Sequence, residues 1–264
     1  MAETNTTEVA KASQPSFSVA LTETLEENKL ALPKDFNIPR FVQNGVALMN
    51  TNKDLQEYAK ANGTAQIKQG LIRAAYLGLD FMNKEAHLVK FGNDLNFMID
   101  YRGAEKLVKK YSPRPVKNIY AKLVRQGDDF EEAIVNGEQT INFKPLPFNG
   151  NPIIGAFAVC EFTDGGMQYE TMSLDELENT RSSSKAKNSP AWTKFTGEMY
   201  KKTVLHRLCK HITIDFENTE QYSIFMEDSE IETDPKEQTK SDMEQTATED
   251  FTFDAEFSEV PENA

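Results

Sequence analysis

Apolar residues recur at three- and four-residue intervals in several stretches of the chain, and this period predicts amphipathic helices. In TAQIKQGLIRAAYLG the apolar side chains share one face, Thr64 is a candidate N-cap and Gly78 is a stop signal. Further helices are expected from Ser173, where acidic residues occupy the first turn, and again after Pro190.

Alternating apolar and polar residues with turn signals between the runs predict antiparallel strands. HLVKFGNDLNFMID indicates a hairpin that turns at 92–94, and IIGAFAVCEFTDGGMQYETMS indicates a second hairpin that turns at DGG. VKNIYAKLVRQGDDF and QTINFKP predict two more strands, with EEAIVNGE as a loop between them. The predicted fold class is therefore α+β, with an antiparallel sheet and hairpins packed with helices in a single core.

Length and composition are those of a folded domain with polar ends. The chain has 264 residues, of which 39% are hydrophobic and 27% are charged, close to the averages of globular proteins. We expect a flexible N-terminal segment over 1–30, a folded core over 31–226 and a disordered acidic tail over 227–264.

The sequence lacks the signals of a membrane or secreted protein. No apolar run reaches about 18 residues, and MAETNTTEVAKASQPS has neither the charged start nor the apolar centre of a signal peptide. Cys160 and Cys209 are too few for a disulfide framework and lack metal-ligand spacing, so we expect both in the core. We expect a cytoplasmic protein that does not contact a membrane.

The net charge of −13 is concentrated at one end of the chain. Residues 227–264 contain 14 acidic residues and 2 lysines, which leaves the rest of the chain close to neutral. Within that rest, 68–125 holds 12 basic against 5 acidic residues, and 181–211 holds 8 against 1. An acidic chain can therefore still present basic surfaces to a polyanionic partner.

One short segment of the acidic tail is not simply polar. DFTFDAEF, residues 250–257, sets three phenylalanines among acidic residues. Three interpretations stay open: the tail keeps the protein in solution, the segment binds a partner, or it competes within the molecule for the basic surface.

The stretch YRGAEKLVKKY, residues 101–111, predicts a helix with an apolar stripe and a basic face. The basic positions are Arg102, Lys106, Lys109 and Lys110. The simplest interpretation is that this basic face is exposed to solvent and binds no ligand. However, more cations follow as far as Arg125, and cations at this density repel one another unless an anion lies between them.

The stretch MYKKTVLHRLCKH, residues 199–211, predicts a second basic helix, and it contains no acidic residue. One stripe, extended to the residues just before it, combines rings and cations at Trp192, Phe195, Met199, Lys202, His206 and Lys210. Such a stripe suits single-stranded nucleic acid, because cations follow phosphates and rings stack on bases. Lys201 falls inside the apolar stripe, so its ammonium either reaches the surface or meets a carboxylate. Trp192 is also consistent with a core position.

Signals for catalysis are weak throughout the sequence. There is no G-x-x-x-x-G-K-[ST] phosphate loop, and the spacing of His206 and His211 is not that of a helical zinc pair. We therefore expect no catalytic residue, no metal and no cofactor. Two alternatives stay open: a metal-dependent nuclease that uses Asp100 or the loop at Asp128, and a phage structural or regulatory protein with an acidic partner.

Four separated blocks of the chain resemble the phage RecT family of single-strand annealing DNA recombinases, in the family's order. The blocks begin at LIRAAYLG, VRQGDDFE, NPIIGAFAVC and WTKFTGEMYKK, and together they span about Thr64 to Asp215. The matching positions are Tyr101, Arg102 and Gly103 at an aromatic, basic, glycine step, Gly127, Asp128 and Phe130 at a strand-end turn, and Trp192, Met199, Lys201, Lys202 and Thr203 in a late helix. Asp100 departs from the pattern, in which glycine is usual.

The resemblance implies a non-catalytic protein that binds single-stranded DNA and anneals it to a complementary strand without ATP. It implies a homo-oligomeric ring or filament that holds an annealed duplex intermediate and works beside a phage exonuclease. The region 31–226 would then be the RecT-like DNA-binding core. The predicted DNA-binding residues are cations and two stacking rings: Tyr101, Arg102, Lys106, Lys109, Lys110, Lys117, Trp192, Lys201, Lys202, Arg207 and Lys210.

Overall fold

The computed structural model of this protein describes residues 16–91, 94–184 and 187–231. The first 15 residues, the expected turn at 92 and 93, and the acidic tail beyond Ile231 lie outside the described residues, and so do the predictions made for them. The α+β prediction is confirmed, because helices pack against antiparallel strands.

Helices form both ends of the described chain, and the helix Thr196–His211 packs on a three-stranded sheet. In chain order they are α1 (Phe17–Glu27), a 3-10 turn (Lys29–Ala31), α2 (Ile38–Thr51), α3 (Lys53–Asn62), α4 (Ala65–Leu77), α5 (Tyr101–Tyr111), α6 (Leu174–Ser183), α7 (Pro190–Lys194), α8 (Thr196–His211) and α9 (Thr219–Ile231). The strands are β1 (Ala86–Phe91), β2 (Asp94–Ile99), β3 (Val116–Arg125), β4 (Asp129–Val135), β5 (Glu138–Lys144), β6 (Ile153–Phe162) and β7 (Met167–Ser173).

The strands form one three-stranded sheet and two hairpins. β6 lies between β3 and β7, while β1 pairs with β2 and β4 pairs with β5. All of these pairings are antiparallel. Among the described strands β3 pairs only with β6, so its outer edge is open.

Different elements cover the two faces of the three-stranded sheet. On one face Cys160 of β6 is fully buried in the main core, on the side where α8 packs. On the opposite face Phe157 packs against Phe130 and Phe143 of the β4–β5 hairpin, with ring centroids 5.2 and 5.0 Å apart. The sheet therefore separates a helical layer from a hairpin layer.

The segment EEAIVNGE, predicted as a loop, is mostly strand. Residues 131–135 belong to β4, which pairs with β5 along its length. The turn lies at Asn136 and Gly137, whose positive φ values of 54° and 84° are those required by a two-residue type I′ hairpin. The prediction was wrong because Glu131 and Glu132 are both exposed, so this strand lacks the alternation that marks the others.

The expected boundaries of the core fall inside packed helical structure. α1 begins at Phe17 and buries Leu21 and Leu25 completely, so part of the 1–30 segment contributes to the main core. At the other end α9 continues to Ile231, and Glu227 pairs with Arg73 of α4. The helical layer therefore includes residues on both sides of the 226/227 boundary.

Short-range signals place several helix ends correctly. Gly78 ends α4 in the left-handed conformation, with φ 69°. Ser173 and Glu176 form a capping box at the start of α6. Thr64 precedes α4 as predicted, but its side chain makes no cap hydrogen bond.

Gly103 allows α5 to pack directly against the chain that enters β1. A Cβ atom at this position would overlap the backbone carbonyl oxygen of Glu85 and lie 3.0 Å from Cγ2 of Ile99. The same carbonyl accepts a hydrogen bond of 3.0 Å from the backbone N–H of Asp100. It therefore has little freedom to move away from an added methyl group.

We expect Gly103→Ala to lower the free energy of unfolding by about 1–3 kcal/mol, because the methyl group overpacks this contact. Gly150→Ala is the matched control, since a Cβ there meets nothing within 4 Å. Urea unfolding of both variants is the measurement. Equal midpoints for Gly103→Ala and the control would contradict the close approach.

Candidate nucleic-acid interface

Asp100 lies where β2 ends and α5 begins, and it joins three elements. Its carboxylate caps α5 by accepting a hydrogen bond of 3.4 Å from the backbone N–H of Arg102. Oδ2 also lies 3.0 Å from Nζ of Lys202 on α8 and 3.3 Å from Nε2 of His87 on β1. Only 9% of this side chain is exposed, so Asp100 is a buried junction between α5, α8 and the first hairpin.

The pKa of Asp100 reflects these contacts. Burial alone would raise the pKa of this carboxyl, but the hydrogen bond from His87, the charge and hydrogen bond of Lys202, and the N–H of Arg102 lower it to about 2. The carboxylate is therefore ionised at neutral pH and attracts Lys202 strongly.

Arg102, which is exposed, and Tyr101, which is half-buried, interact at the start of α5. Nε of Arg102 donates to the Tyr101 hydroxyl at 3.2 Å, and the guanidinium carbon lies 5.5 Å from the ring centroid. Arg102 makes no ion pair with any carboxylate of the described residues, and its side chain is exposed. Both groups remain accessible to a ligand that offers an anion and a flat ring.

Three of the predicted DNA-binding cations are paired with carboxylates that are nearly buried. Lys106 lies 2.7 Å from Glu85 and also donates to the Gly78 carbonyl at 2.8 Å. Lys202 pairs with Asp100, and Arg207 lies 2.8 Å from Glu170. The exposed fractions of Glu85, Asp100 and Glu170 are 11%, 9% and 13%. An anion therefore lies beside each of these cations within the protein itself, and their assignment to DNA binding stays a prediction.

The remaining cations on the two helices have weaker partners. Lys109 lies 3.8 Å from Glu105, and Lys201 lies 2.7 Å from Glu198, so Lys201 meets a carboxylate as one of its two expected outcomes. Lys110 donates to the Tyr111 hydroxyl at 2.8 Å. Lys210 on α8 is half-buried. Their assignment to DNA binding stays a prediction.

Trp192 is a core residue, which corrects its proposed role as a stacking platform. Only 5% of the residue is exposed, and its ring lies 6.3 Å from that of Tyr200 and 6.0 Å from the guanidinium of Arg181. His206 of the same predicted stripe is also buried. The stripe is therefore divided: Trp192 and His206 are buried, whereas Phe195 is 62% exposed and the remaining members are half-buried.

A groove between β3 and the β4–β5 hairpin brings cations and aromatic rings together. Its volume is about 650 Å³, and its lining includes Tyr120, Lys122 and Arg125 from β3, Phe143 from β5 and Phe157 from β6. Lys122 is exposed and makes no ion pair with the described residues. Lys117, on the same strand, is likewise exposed and without such a partner.

The groove was not predicted, because the basic positions stand out most clearly at helical spacing. Lys122 is one of the cations that follow α5 as far as Arg125, and it is not among the predicted DNA-binding residues. A usable signal exists in the strand itself, since Tyr120, Lys122 and Val124 alternate and so point to one face of the sheet. That face becomes a groove only because the hairpin packs beside it, and half of this hairpin was predicted as a loop.

The carboxylate of Asp128 organises the end of the groove. It accepts hydrogen bonds from the side chain of Asn149 at 2.7 Å and from the backbone N–H groups of Leu146 and Arg125 at 2.9 and 2.8 Å. The Asn149 bond is the main cause of a lowered pKa for Asp128. Within the described ranges, no three His, Cys, Asp or Glu side chains are grouped so as to hold a metal ion.

Comparison with known proteins places the chain in a family. The family model described as RecT family matches residues 39–242, well over half of the chain. The chain belongs to the RecT family. It is also 30% identical to Protein RecT of Escherichia coli strain K12 over 164 residues. This alignment covers 58% of this chain and 60% of that protein. The predicted resemblance is thus confirmed.

The family model covers every described strand, α3 to α9 and nearly all of α2. It therefore includes both the Asp100 junction and the groove along β3. Of the described helices, none is long and apolar enough to span a bilayer.

The low pKa of Asp100 predicts a pH-dependent contribution to stability. A carboxyl whose pKa is lower in the folded state stabilises the fold above its unfolded pKa, near 3.8, and this contribution is lost as the pH falls towards about 2. We expect wild type to be more stable than Asp100→Asn at pH 7, with the difference narrowing between about pH 4 and 2.

Urea unfolding across this pH range is the measurement. Asp35→Asn, at an exposed position, is the control and should stay close to wild type throughout. A wild-type advantage over Asp100→Asn that is constant from pH 7 to 2 would contradict the assigned ionic contacts.

Proposed function

We propose that this protein binds single-stranded DNA and anneals complementary strands without ATP and without chemical catalysis. Membership of the RecT family supports a role in recombination and annealing. An oligomeric assembly and a phage exonuclease as partner are proposed on the same ground. The full activity is a proposal for this chain, because it spans 60% of the length of its curated relative.

The observation that carries the proposal is the groove along β3. It places Lys122 and Arg125 beside the rings of Tyr120 and Phe143, along a strand at the edge of a sheet. Proteins that bind single strands combine a positive track for phosphates with rings on which bases stack, at about 1–3 kcal/mol per base. In the groove, the positive charges lie on β3, and the aromatic rings lie on β3, β5 and β6.

The ion pairs suggest which cations contact phosphate. Moving Lys106, Lys202 or Arg207 onto DNA would leave a nearly buried carboxylate without its partner, and such a loss is strongly unfavourable. The pairs of Lys109 and Lys201 are closer to the surface and exchange more easily. We propose that the phosphate contacts are Arg102, Lys117 and Lys122 first, then Lys109, Lys110, Lys201 and Lys210.

Annealing then needs no reactive group from the protein. Two strands repel one another through their phosphates, and cations of the groove and of α5 reduce this repulsion. Contacts to the backbone leave the base edges free to test each other. The free energy of the product comes from base pairing, so ATP has no step to drive.

The direct test is annealing of two complementary labelled oligonucleotides by the purified protein, without any nucleoside triphosphate. We expect duplex to form faster than without protein, and the acceleration to fall as salt is raised. Failure to accelerate pairing at low salt would contradict the proposal. Loss of labelled DNA on addition of magnesium would support the nuclease alternative instead.

The contribution of β3 can be measured through salt dependence. On single strands log K falls by about 0.7 per neutralised phosphate for each decade of salt. We expect Lys117→Ala combined with Lys122→Ala to reduce this slope by about 1.4 in fluorescence anisotropy. Lys53→Ala combined with Lys60→Ala, two exposed positions on α3, is the control. Equal salt slopes for the two double variants would show that Lys117 and Lys122 of β3 do not contact phosphate.

A further inference from the structure

The acidic tail contains a segment whose residues alternate in a way that matches the groove. In DFTFDAEF, Phe251, Phe253 and Phe257 occupy odd positions, while Asp250 and the other two acids occupy even positions. In an extended chain, side chains at alternate positions share a face. One face of this segment would therefore be aromatic and the other acidic.

The groove offers complementary chemistry on its side. Lys122 and Arg125 supply positive charge, and Tyr120 and Phe143 supply rings. Leu146, in the loop that closes the groove, is 47% exposed, so an apolar side chain is available at the rim.

The loop after β5 also carries a strained aromatic residue. Phe148 is fully exposed and has a φ of 52°, which is uncommon for a bulky side chain. Strained and exposed positions of this kind are concentrated at binding sites. The loop therefore has the properties of a surface that receives an apolar ligand.

We propose that the tail segment 250–257 docks in extended form in the groove between β3 and the loop 145–149. Its phenylalanines pack on Phe143 and Leu146 on the hairpin side of the groove, while its acidic residues face Lys122 and Arg125 on the β3 side. The consequence rests on the proposed function: where the groove binds single-stranded DNA, the docked tail competes with it.

One feature favours this groove over the paired cations of the helices. Lys106, Lys202 and Arg207 are paired with nearly buried carboxylates, whereas Lys122 makes no ion pair with the described residues. The chain from Ile231 to Phe251 could span at most about 65 Å, at about 3.3 Å per residue.

Photo-crosslinking of the full chain in the absence of DNA tests the docking itself. The full-length variant Phe253→p-benzoylphenylalanine is irradiated to form cross-links. It is then digested, and the cross-linked peptides are identified by mass spectrometry. We expect cross-links to the peptides that contain Tyr120–Arg125 and Phe143–Asn149. Thr246→p-benzoylphenylalanine, outside the segment, is the control. Cross-links no more frequent than those of the control, or directed to α5 and α8, would overturn the proposal.

Mixing isotopically labelled and unlabelled chains before irradiation shows whose tail occupies the groove. Cross-links within one isotope indicate the chain's own tail, and mixed pairs indicate that of a neighbouring copy. Both results support occupation of the groove by this segment.

The affinity for single-stranded DNA tests the competition. Phe251→Ser, Phe253→Ser and Phe257→Ser together keep the charge of the tail but remove its rings. We expect this variant to bind single-stranded DNA about five- to tenfold more tightly than wild type, as deletion of 232–264 does. An affinity equal to wild type, with only the deletion tightening binding, would show that the tail acts by charge alone and would overturn docking through the rings.

The two experiments separate this inference from the proposed function. If wild type and both tail variants fail to bind single-stranded DNA at low salt, the proposed function is wrong. The cross-links in DNA-free protein still decide whether the segment occupies the groove.

Discussion

Three nearly buried carboxylates, Glu85, Asp100 and Glu170, hold the cations of the two basic helices in place. Each comes from a different part of the chain, and each binds a cation of α5 or α8 at 2.7–3.0 Å. Because a buried carboxylate without a partner is costly, these pairs fix where the helices lie relative to the first hairpin, the sheet and each other. The paired cations on these helices therefore serve to stabilise the fold.

This constraint divides the basic residues of the protein into two groups. The paired cations hold together the helical layer on one side of the sheet. Among the cations that make no ion pair with the described residues, Lys117 and Lys122 lie on β3, and Lys122 lines the groove beside the β4–β5 hairpin. A surface that binds and releases DNA needs cations that can contact phosphate without breaking an ion pair within the protein. β3 supplies such cations, and aromatic rings lie near Lys122.

The fold was predictable where the signals are local, and the site was not because its contacts are distant in sequence. Hairpin turns, the Gly78 stop and the Ser173 capping box involve residues within a few positions of one another. Lys202 and Asp100, by contrast, are 102 residues apart. Counting the charges near Lys202 in the sequence therefore does not reveal its carboxylate partner. The burial of Trp192 likewise depends on how α7 and α8 pack.

The central claim is that nearly buried carboxylates reserve Lys106, Lys202 and Arg207 for the fold, and that the ligand is bound by cations without such a partner, such as Lys117 on β3. Measuring both the free energy of unfolding and the salt slope of single-stranded DNA binding for Lys202→Met and Lys117→Met tests it most directly. The account predicts that Lys202→Met loses about 1.5–3 kcal/mol of stability with an unchanged slope, and that Lys117→Met keeps its stability and loses about 0.7 of slope. A Lys202→Met variant with wild-type stability and a reduced slope would contradict it.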